Sequence, residues 1–277
     1  MRRAALIVAL STLVIGGCSS GSKSTVTIQP ALSYSLANFQ PATFTPGQPT
    51  RVSFSVKLPS GQTLTKFKRG PGPHTGIHLI LVRSDLGAIV HQHPPVAPDG
   101  TISQDVTLPT PGRYRVVIDV YPATGPLPNY QLFRWVRARG PYHPQPLPPF
   151  SRSVTVDGYR FTLVTKPNLH AIQAALLTFT VTDPSGKPAQ FTPWFGALAH
   201  AIFFRKGTLD YFHTHVCAPG ATGCTSVLGA TKVTGTSARP GILHVGVLVP
   251  VSGVWRLFLQ TKIDGQIRTA PFTLRVR

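Results

Sequence analysis

The sequence predicts an all-β protein made of two tandem β-sandwich domains. Short segments rich in Val, Ile, Phe, Thr and Tyr recur at close intervals, turn signals separate them, and the order of these signals occurs twice. After the first 17 residues no stretch shows the 3.6-residue apolar period of an amphipathic helix. About seven short strands in roughly 115 residues is the pattern of a β-sandwich.

The candidate strands follow one another in the same order in both halves. Those of the first half are RVSFSVKL, IHLILV, AIVHQH, TISQDVTL, RYRVVIDVY and QLFRWVR. Those of the second half are SVTV, YRFTLVT, LLTFTVT, HAIFFR, DYFHTH, ILHVGVLV, VWRLFLQTK and RTAPFTLRV. The turns between them contain Pro-Gly or Ser-Gly pairs, and Asp157-Gly158 and Asp264-Gly265 suit tight hairpin turns. We therefore expect two copies of one unit.

The N-terminal segment predicts export. Arg2 and Arg3 precede an apolar run that is too short to span a bilayer stably, which is typical of a secretory signal peptide. The run ends in VIGGC, which resembles the bacterial lipobox, and this resemblance implies that Cys18 becomes the lipidated first residue. The alternative is an ordinary secretory signal. A lipidated Cys18 would anchor the protein to the extracytoplasmic side of a bacterial cell membrane through acyl chains such as palmitate.

Composition divides the rest of the chain. The stretch SSGSKST is a polar tether, and five prolines lie within the twelve residues RGPYHPQPLPPF, which disfavours a central strand there. The expected segments are a signal peptide at 1–17, the lipidated Cys and tether at 18–27, a sandwich at 28–138, a Pro-rich linker at 139–150 and a second sandwich at 151–277.

The charge balance points to an anionic partner. The chain has 27 Lys and Arg against 8 acidic residues, for a net charge of +19. In an exported protein with basic residues scattered along strands, this favours contact with an anionic envelope polymer or partner protein and argues against nucleic acid. The scarcity of carboxylates, and the absence of sequence motifs for a nucleophilic Ser, a phosphate loop or a zinc hydrolase, predict a binding module and not an enzyme.

A histidine motif with the spacing H-x12-H-x-H occurs twice. The six residues are His78, His91 and His93 in the first copy and His200, His213 and His215 in the second. If each copy forms a hairpin with a loop of two or four residues, the first His lies opposite one member of the H-x-H pair. The two-residue alternation of a strand then places all three imidazoles of a copy on one face.

Three converging imidazoles suit a Cu²⁺ or Zn²⁺ ion and leave one coordination position open. The motif therefore predicts one ion per domain, with His74 in the first domain, or His244 or Cys217 in the second, as candidate fourth ligands. The alternative is structural histidines that form hydrogen bonds within the fold. A copper site for electron transfer is disfavoured, because Met1 is the single Met and the first domain has no Cys.

Two cysteines, Cys217 and Cys224, bracket a loop of Ala, Pro, Gly and Thr. An exported protein meets an oxidising compartment, so this pair predicts a local disulfide. The competing interpretation makes Cys217 a soft metal ligand beside His213 and His215.

The first motif, together with the downstream PGRYRV strand, resembles the extracytoplasmic YtkA-like domains of bacterial secreted proteins and lipoproteins. The matching residues are His78, Leu79, Val82, Arg83, Asp85, Leu86, His91, His93 and Pro94. The second copy departs from this pattern at Ala201, Gly207 and Val216. The resemblance implies an immunoglobulin-like or cupredoxin-like sandwich and, for function, only an association with metal handling.

Overall fold

The computed structural model describes residues 33–69, 72, 76–125, 128–221, 224, 227–228 and 231–277. The predicted signal peptide, Cys18 and His74 lie outside the described residues. Within those ranges the regular structure consists of strands, so the predicted all-β fold is confirmed. None of the described segments forms a helix that is long and apolar enough to cross a membrane.

The first sandwich contains eight strands in two sheets. They are β1 (Ser35–Gln40), β2 (Thr43–Phe44), β3 (Thr50–Lys57), β4 (Ile77–Arg83), β5 (Ile89–Gln92), β6 (Ile102–Val106), β7 (Gly112–Val120) and β8 (Tyr130–Ala138). The order β1-β3-β6 forms one sheet and β2-β8-β7-β4-β5 the other. Their inner faces enclose an apolar core that includes Phe54, Leu79 and Tyr114.

The second sandwich is one nine-stranded sheet folded onto itself. Its strands are β9 (Ser153–Val156), β10 (Tyr159–Leu163), β11 (Ala175–Thr182), β12 (Ala199–Arg205), β13 (Tyr211–Cys217), β16 (Gly235–Thr236), β17 (Ile242–Val247), β18 (Gly253–Ile263) and β19 (Gln266–Val276). The sheet order is β19-β18-β12-β13-β16-β17-β11-β10-β9. Phe179 and Phe272 meet across the core, with their ring centroids 5.0 Å apart. The short strands β14 (Val227–Leu228) and β15 (Thr231–Lys232) form a separate two-stranded antiparallel sheet.

The two histidine motifs form hairpins with the same register. Ile80 pairs with His91 on β4 and β5, and Ile202 pairs with His213 on β12 and β13. Each turn has four residues, since the N–H of Arg83 donates to Ala88 and that of Arg205 donates to Asp210. Of the two predicted loop lengths, the four-residue loop is the one that occurs.

Strands β4 and β12 are buried on both faces, which explains why their sequences, IHLILVR and AHAIFFR, are almost continuously apolar. One face of each strand packs inside its own sandwich. The other face packs against the partner domain in a cluster that we call the interdomain core. Its buried members are Ile80, Val82, Leu86, Val117, Ile202, Phe204, Leu209 and Phe258. The two sandwiches therefore meet sheet to sheet along their β4 and β12 faces.

The Pro-rich segment between β8 and β9 contains no strand and lies along the β4–β5 turn. The ring of Tyr142 stacks under the Arg83 guanidinium at 5.5 Å, and its hydroxyl lies 3.2 Å from Ser84. The backbone N–H of Gln145 donates to Asp85 Oδ2 at 3.1 Å. Leu147 packs on the interdomain core. The segment is thus held by specific contacts with the first domain.

Cys217 and Cys224 form a disulfide, as predicted. The bond closes the loop that follows β13 and packs against Ala197. Because a disulfide sulfur is not a thiolate, Cys217 is not a metal ligand while this bond is intact.

Candidate metal centre

The six histidines of the two motifs lie together between the domains. We call this set the histidine cluster, and its members are His78, His91, His93, His200, His213 and His215. The β4 and β12 faces dock so that the ring of His78 lies 4.8 Å from His213 and that of His91 lies 5.1 Å from His200, centroid to centroid. The predicted triads are therefore brought to one place at the interface and are not two separate sites.

The cluster is nearly symmetric under exchange of the domains. The distances just given join equivalent pairs, and they differ by only a few tenths of an ångström. Within the domains, His78–His91 and His200–His213 are 5.6 and 5.5 Å apart. The pair His91–His213, which the exchange maps onto itself, is separated by 5.3 Å. The repeat thus generates a pseudo-two-fold arrangement of imidazoles.

Several ring nitrogens face one another at short range. His91 Nε2 and His93 Nε2 are 3.1 Å apart, and His200 Nδ1 and His213 Nε2 are 3.3 Å apart. Three overlapping trios have all their ligand atoms within 4.8 Å of one another. These trios are His78-His91-His93, His78-His213-His215 and His91-His200-His213. Two of the three draw on both domains, and any two of them share one histidine.

Gln260 of β18 fixes the tautomer of His91 from across the interface. The Gln260 side-chain amide donates to Thr269 Oγ1 at 3.0 Å, so its Oε1 faces His91 Nδ1, also at 3.0 Å. Since a carbonyl oxygen only accepts, His91 carries its proton on Nδ1. The lone pair of His91 Nε2 therefore points into the cluster.

The backbone carbonyl of Trp194 orients His200 in a comparable way. His200 Nε2 donates to this carbonyl at 3.0 Å, which leaves the Nδ1 lone pair facing His213. Trp194 precedes a tight turn in which Phe195 and Gly196 have positive φ angles of 47° and 78°. Glycine adopts such angles without strain, whereas phenylalanine rarely does. The turn brings the indole ring within 4.8 Å of the His200 ring.

Asp119 of β7 lies behind His78, with Oδ2 3.5 Å from His78 Nδ1. This buried carboxylate also accepts hydrogen bonds from Tyr121 (2.8 Å), Asn129 (3.0 Å) and, across the interface, Tyr211 (3.5 Å). Burial alone would raise the pKa of Asp119, but the hydrogen bonds from His78, Asn129 and Tyr121 outweigh it and hold that pKa below its ordinary value. A carboxylate behind an imidazole is the usual support of a metal-bound histidine.

Two histidines are held in the neutral form that can bind a metal. Burial, reinforced by the neighbouring histidines, puts the pKa values of His91 and His213 well below the ordinary value. His213 Nδ1 is buried and has no hydrogen-bond partner among the described residues. A buried ring nitrogen without a partner costs stability, so it calls for an explanation.

Sequence reasoning missed Asp119, Gln260 and Trp194. A signal for the first two exists, because PGRYRVVID and VSGVWRLFLQ align on their glycines and place Asp119 and Gln260 at the same position. In the structure these residues lie opposite His78 and His200 in the ladders. Only the docking of the domains shows that Gln260 forms its hydrogen bond with His91 of the first domain, and not with His200, which lies opposite it in the ladder. No sequence pattern indicated Trp194.

The candidate fourth ligands His244 and His74 are not among the residues that the structure brings to the cluster. His244 is on β17 in the distal part of the second sheet, where Nδ1 is 3.0 Å from Thr178 Oγ1, and it belongs to none of the three trios. His74 lies outside the described residues.

Among solved structures, the chain is similar to FdeC, an Escherichia coli adhesin, at 15% identity and a TM-score of 0.28, over 90% of this chain and 66% of that one. It is also similar to invasin, a bacterial integrin-binding protein, at 14% identity and a TM-score of 0.25, over 89% of this chain and 39% of that one. The chain thus spans less than two thirds of the length of these two proteins.

No curated protein matches the chain. One family model matches it in two segments, residues 34–126, which contain β1 to β7 of the first sandwich, and residues 154–277, which contain nearly all of the second. Together these segments cover most of the sequence. The chain therefore belongs to the family described as Domain of unknown function (DUF8832).

Proposed function

We propose that this protein is an exported, non-enzymatic metal-binding module that holds one Cu²⁺ or Zn²⁺ ion in the histidine cluster between its two domains. The observation that carries the proposal is the convergence of six imidazoles from both domains on one buried place. Neutral imidazole is a preferred ligand of both ions, and three or four such ligands complete a site.

The fixed tautomers supply lone pairs that an ion can use. His91 and His200 each donate one ring N–H to an oxygen acceptor. The lone pair of the other ring nitrogen faces a neighbouring ring nitrogen. A hydrogen-bonded histidine network needs a proton between each such pair, whereas a metal ion needs lone pairs on both sides.

The proposed stoichiometry is one ion per chain. Any two of the three trios share a histidine, and a neutral imidazole offers a single lone pair. His78, His91 and His213 each occur in two trios, so we expect them to dominate binding. The buried carboxylate of Asp119 supplies negative charge beside the cation.

The proposal also places the protein at the bacterial envelope. The lipobox-like VIGGC sequence and the basic start of the chain support export followed by lipidation of Cys18. The basic surface, with its net charge of +19, suits a position next to anionic lipids or polymers.

The test is titration of the purified protein with Zn²⁺ and Cu²⁺, followed by calorimetry and metal analysis. We expect one equivalent to bind, and the double variant His91→Ala/His213→Ala to lose affinity by more than about 100-fold, since it removes two ligands and second-shell changes alone cost 10–100-fold. The matched control is His244→Ala, which removes a histidine outside the trios. Tight binding of two equivalents of metal would contradict the proposed stoichiometry. Undiminished metal binding by the double variant would contradict the histidine cluster as the binding site.

A second candidate function is adhesion to an anionic envelope polymer, and one surface favours it. On the face of β7 and β8 that borders the interdomain core, the Arg113 guanidinium lies 3.9 Å from the Trp135 ring centroid and that of Arg115 lies 4.4 Å from Phe133. Phe133 is 48% exposed. A cavity of about 380 Å³, also lined by Arg137, adjoins Trp135. We call this surface the arginine–aromatic face.

Its test is cosedimentation with polygalacturonate at low and physiological salt. We expect Arg113→Gln/Arg137→Gln to weaken binding more than Arg160→Gln/Arg275→Gln, which removes the same charge from exposed positions of the second domain. Equal loss in both variants would mean that net charge alone attracts the polymer.

A further inference from the structure

A cavity of about 500 Å³ lies beside the histidine cluster. His93 is the cluster member found among its described lining residues, which also include Phe67, Lys68, Arg69, Pro94 and Phe195. His93 is partly exposed, whereas His78, His91, His200 and His215 are buried. His93 is therefore the cluster member that faces the cavity, while the buried members lie behind it.

The wall of this cavity holds an exposed aromatic ring in a strained turn. Phe195 is 39% exposed and has a φ angle of 47°, an unfavourable combination for a large apolar residue. Its ring stacks flat on His93, with the centroids 3.8 Å apart and the planes inclined by 4°. Strain that the fold retains at an exposed aromatic residue is typical of a binding site.

The rim of the cavity is positively charged. Lys68 and Arg69 are both exposed, and neither belongs to a salt bridge of the described residues. Lys68 Nζ is held by the carbonyl of Pro128 at 3.1 Å, so the ammonium has a defined position. Uncompensated cations above an apolar floor select an anion with an apolar body.

We propose that this cavity binds an aromatic carboxylate that can chelate a metal, and that the carboxylate reaches the open coordination position of an ion in the cluster. The inference rests on the proposed function, because the ion supplies one of the ligand's contacts. The ring of such a ligand packs against Phe195 and the two prolines after His93. Its remaining negative charge faces Arg69.

The volume and chemistry of the cavity limit the ligand to this class. About 500 Å³ accommodates a small organic molecule and excludes a folded protein segment. A purely apolar ligand would leave the cations unused, and a small inorganic anion would leave the aromatic wall unused. The cavity thus fits a metal–chelator complex that either delivers the ion or removes it.

The probe is salicylate, an aromatic hydroxycarboxylate, titrated by calorimetry into the full-length protein with and without bound Zn²⁺. We expect salicylate to bind the Zn²⁺ form at least about tenfold more tightly than the metal-free form, as expected for one added charged contact. Arg69→Gln should weaken salicylate binding about tenfold while changing Zn²⁺ affinity less than about twofold. Phe195→Ala should also weaken salicylate binding about tenfold, and its Zn²⁺ affinity is measured separately because the Phe195 ring stacks on His93. Arg137→Gln, which lies in the other cavity, is the matched control.

The outcomes separate the two proposals. Failure of the wild-type protein to bind Zn²⁺ would overturn the proposed function itself. Normal Zn²⁺ binding with salicylate affinity that is indifferent to Zn²⁺, or unchanged in Arg69→Gln and Phe195→Ala, would overturn only the chelator site. Benzoate, which has the ring and carboxylate but no adjacent hydroxyl to complete a chelate, should bind the Zn²⁺ form more weakly than salicylate; equal binding would contradict chelation. Thermal unfolding of Phe195→Ala checks that its effect does not come from misfolding.

Discussion

The two histidine hairpins share their register and their turn length, yet the residues that support them differ. At the same ladder position, next to the first histidine of each motif, the first domain has Asp119 and the second has Gln260. Asp119 faces His78 of its own domain, whereas Gln260 reaches across to His91. The framework of the repeat is thus symmetric, while the polarity around the cluster is not.

This difference places a negative charge on one side of the cluster only. A buried carboxylate is costly unless it is compensated, and Asp119 is compensated by four neutral donors, Tyr121, Asn129, Gln131 and Tyr211, and by the imidazole of His78. A second Asp at the Gln260 position would add like charge to the same buried region. In the proposed site, one carboxylate would balance part of the charge of a divalent ion, and the position of Asp119 would favour an ion close to His78.

The largest expected effect concerns the interdomain core, where Val82 and Phe204 occupy equivalent positions and are both fully buried. Phe204→Ala should lower the free energy of unfolding by about 3–5 kcal/mol, because it removes a ring and leaves a cavity. Val82→Ala removes two carbon atoms and should cost roughly 2 kcal/mol. Urea denaturation, followed by circular dichroism, measures both changes.

The control for this comparison is Phe133→Ala, since Phe133 is 48% exposed at the edge of the same surface. Its effect should stay within about 0.5 kcal/mol. If Phe204→Ala proved as mild as Phe133→Ala, the β12 face would not be packed against the first domain in solution. The histidines of the two domains would then not be held together, and the proposed metal site between the domains would be contradicted.

The sequence was sufficient to predict each hairpin but not the meeting of the two. Strand alternation places His91 and His93 on one face, and the turn SDLG sets the register with His78. Both depend on residues close in the chain. The docking of one hairpin face on the other depends on a core formed by residues more than 100 positions apart, such as Ile80 and Ile202. No local pattern contains that information.

One sequence feature nevertheless pointed to the docking. A strand with one face in water alternates apolar and polar residues, but HLILV and HAIFF do not alternate. Such continuous runs require apolar contacts on both faces. A sandwich supplies only one of them, so the second domain had to supply the other. The hydrogen-bond partners of His91 and His200 could not be predicted in this way, because the Gln260 amide and the Trp194 backbone carbonyl do not change the pattern of apolar and polar residues.

The next largest expected effect concerns the difference between Asp119 and Gln260, which occupy equivalent positions beside the histidine cluster. Asp119→Asn removes the charge behind His78 and should lower Zn²⁺ affinity by about 10–100-fold, the usual cost of losing a carboxylate behind a metal-bound histidine. Gln260→Ala leaves His91 free to change tautomer but removes no charge, so we expect a smaller loss. Competition with a chromogenic chelator at constant pH measures both affinities.

If Gln260→Ala lowered Zn²⁺ affinity more than Asp119→Asn, His91, and not His78, would be the better supported ligand. Gln260→Glu sharpens the comparison, because it places a carboxylate at both equivalent positions. We expect it to destabilise the metal-free protein, where two buried carboxylates repel one another, and to destabilise the metal-bound form less. Thermal unfolding with and without Zn²⁺ tests this difference.

The smallest expected effect concerns the turns, where Asp85 and Gly207 are equivalent. Asp85 accepts two hydrogen bonds from Arg83, at 2.8 and 3.0 Å, and one each from the backbone N–H groups of Gly87 and Gln145. Gly207 has no side chain with which to form such contacts. Burial raises the pKa of Asp85, but the hydrogen bonds from Arg83, Gln145 and Gly87 outweigh it and lower that pKa below its ordinary value.

The sign of the pH dependence follows from this shift. Because the pKa of Asp85 is lower in the folded than in the unfolded protein, its contribution is complete above the unfolded value of about 3.9. That contribution is lost as the pH falls through the folded-state pKa. Asp85→Asn should therefore cost about 1 kcal/mol at pH 7 and progressively less as the pH is lowered. Urea denaturation of both proteins between pH 7 and pH 3 measures the difference.

The control is Asp105→Asn, whose ion pair with Arg51 is exposed on both sides and should contribute little at any pH. A difference between wild type and Asp85→Asn that stays constant down to pH 3 would show that the turn gains its stability from shape and not from charge. In that case the Arg83–Asp85 pair would serve, as Gly207 does in the second domain, only to set the path of the backbone. A difference that shrinks with acid would instead show that the Arg83–Asp85 pair stabilises the first hairpin through charge, as Arg205 and Asp210, 3.3 Å apart, can do in the second, and Asp85 also ties the Pro-rich segment to the β4–β5 turn through Gln145.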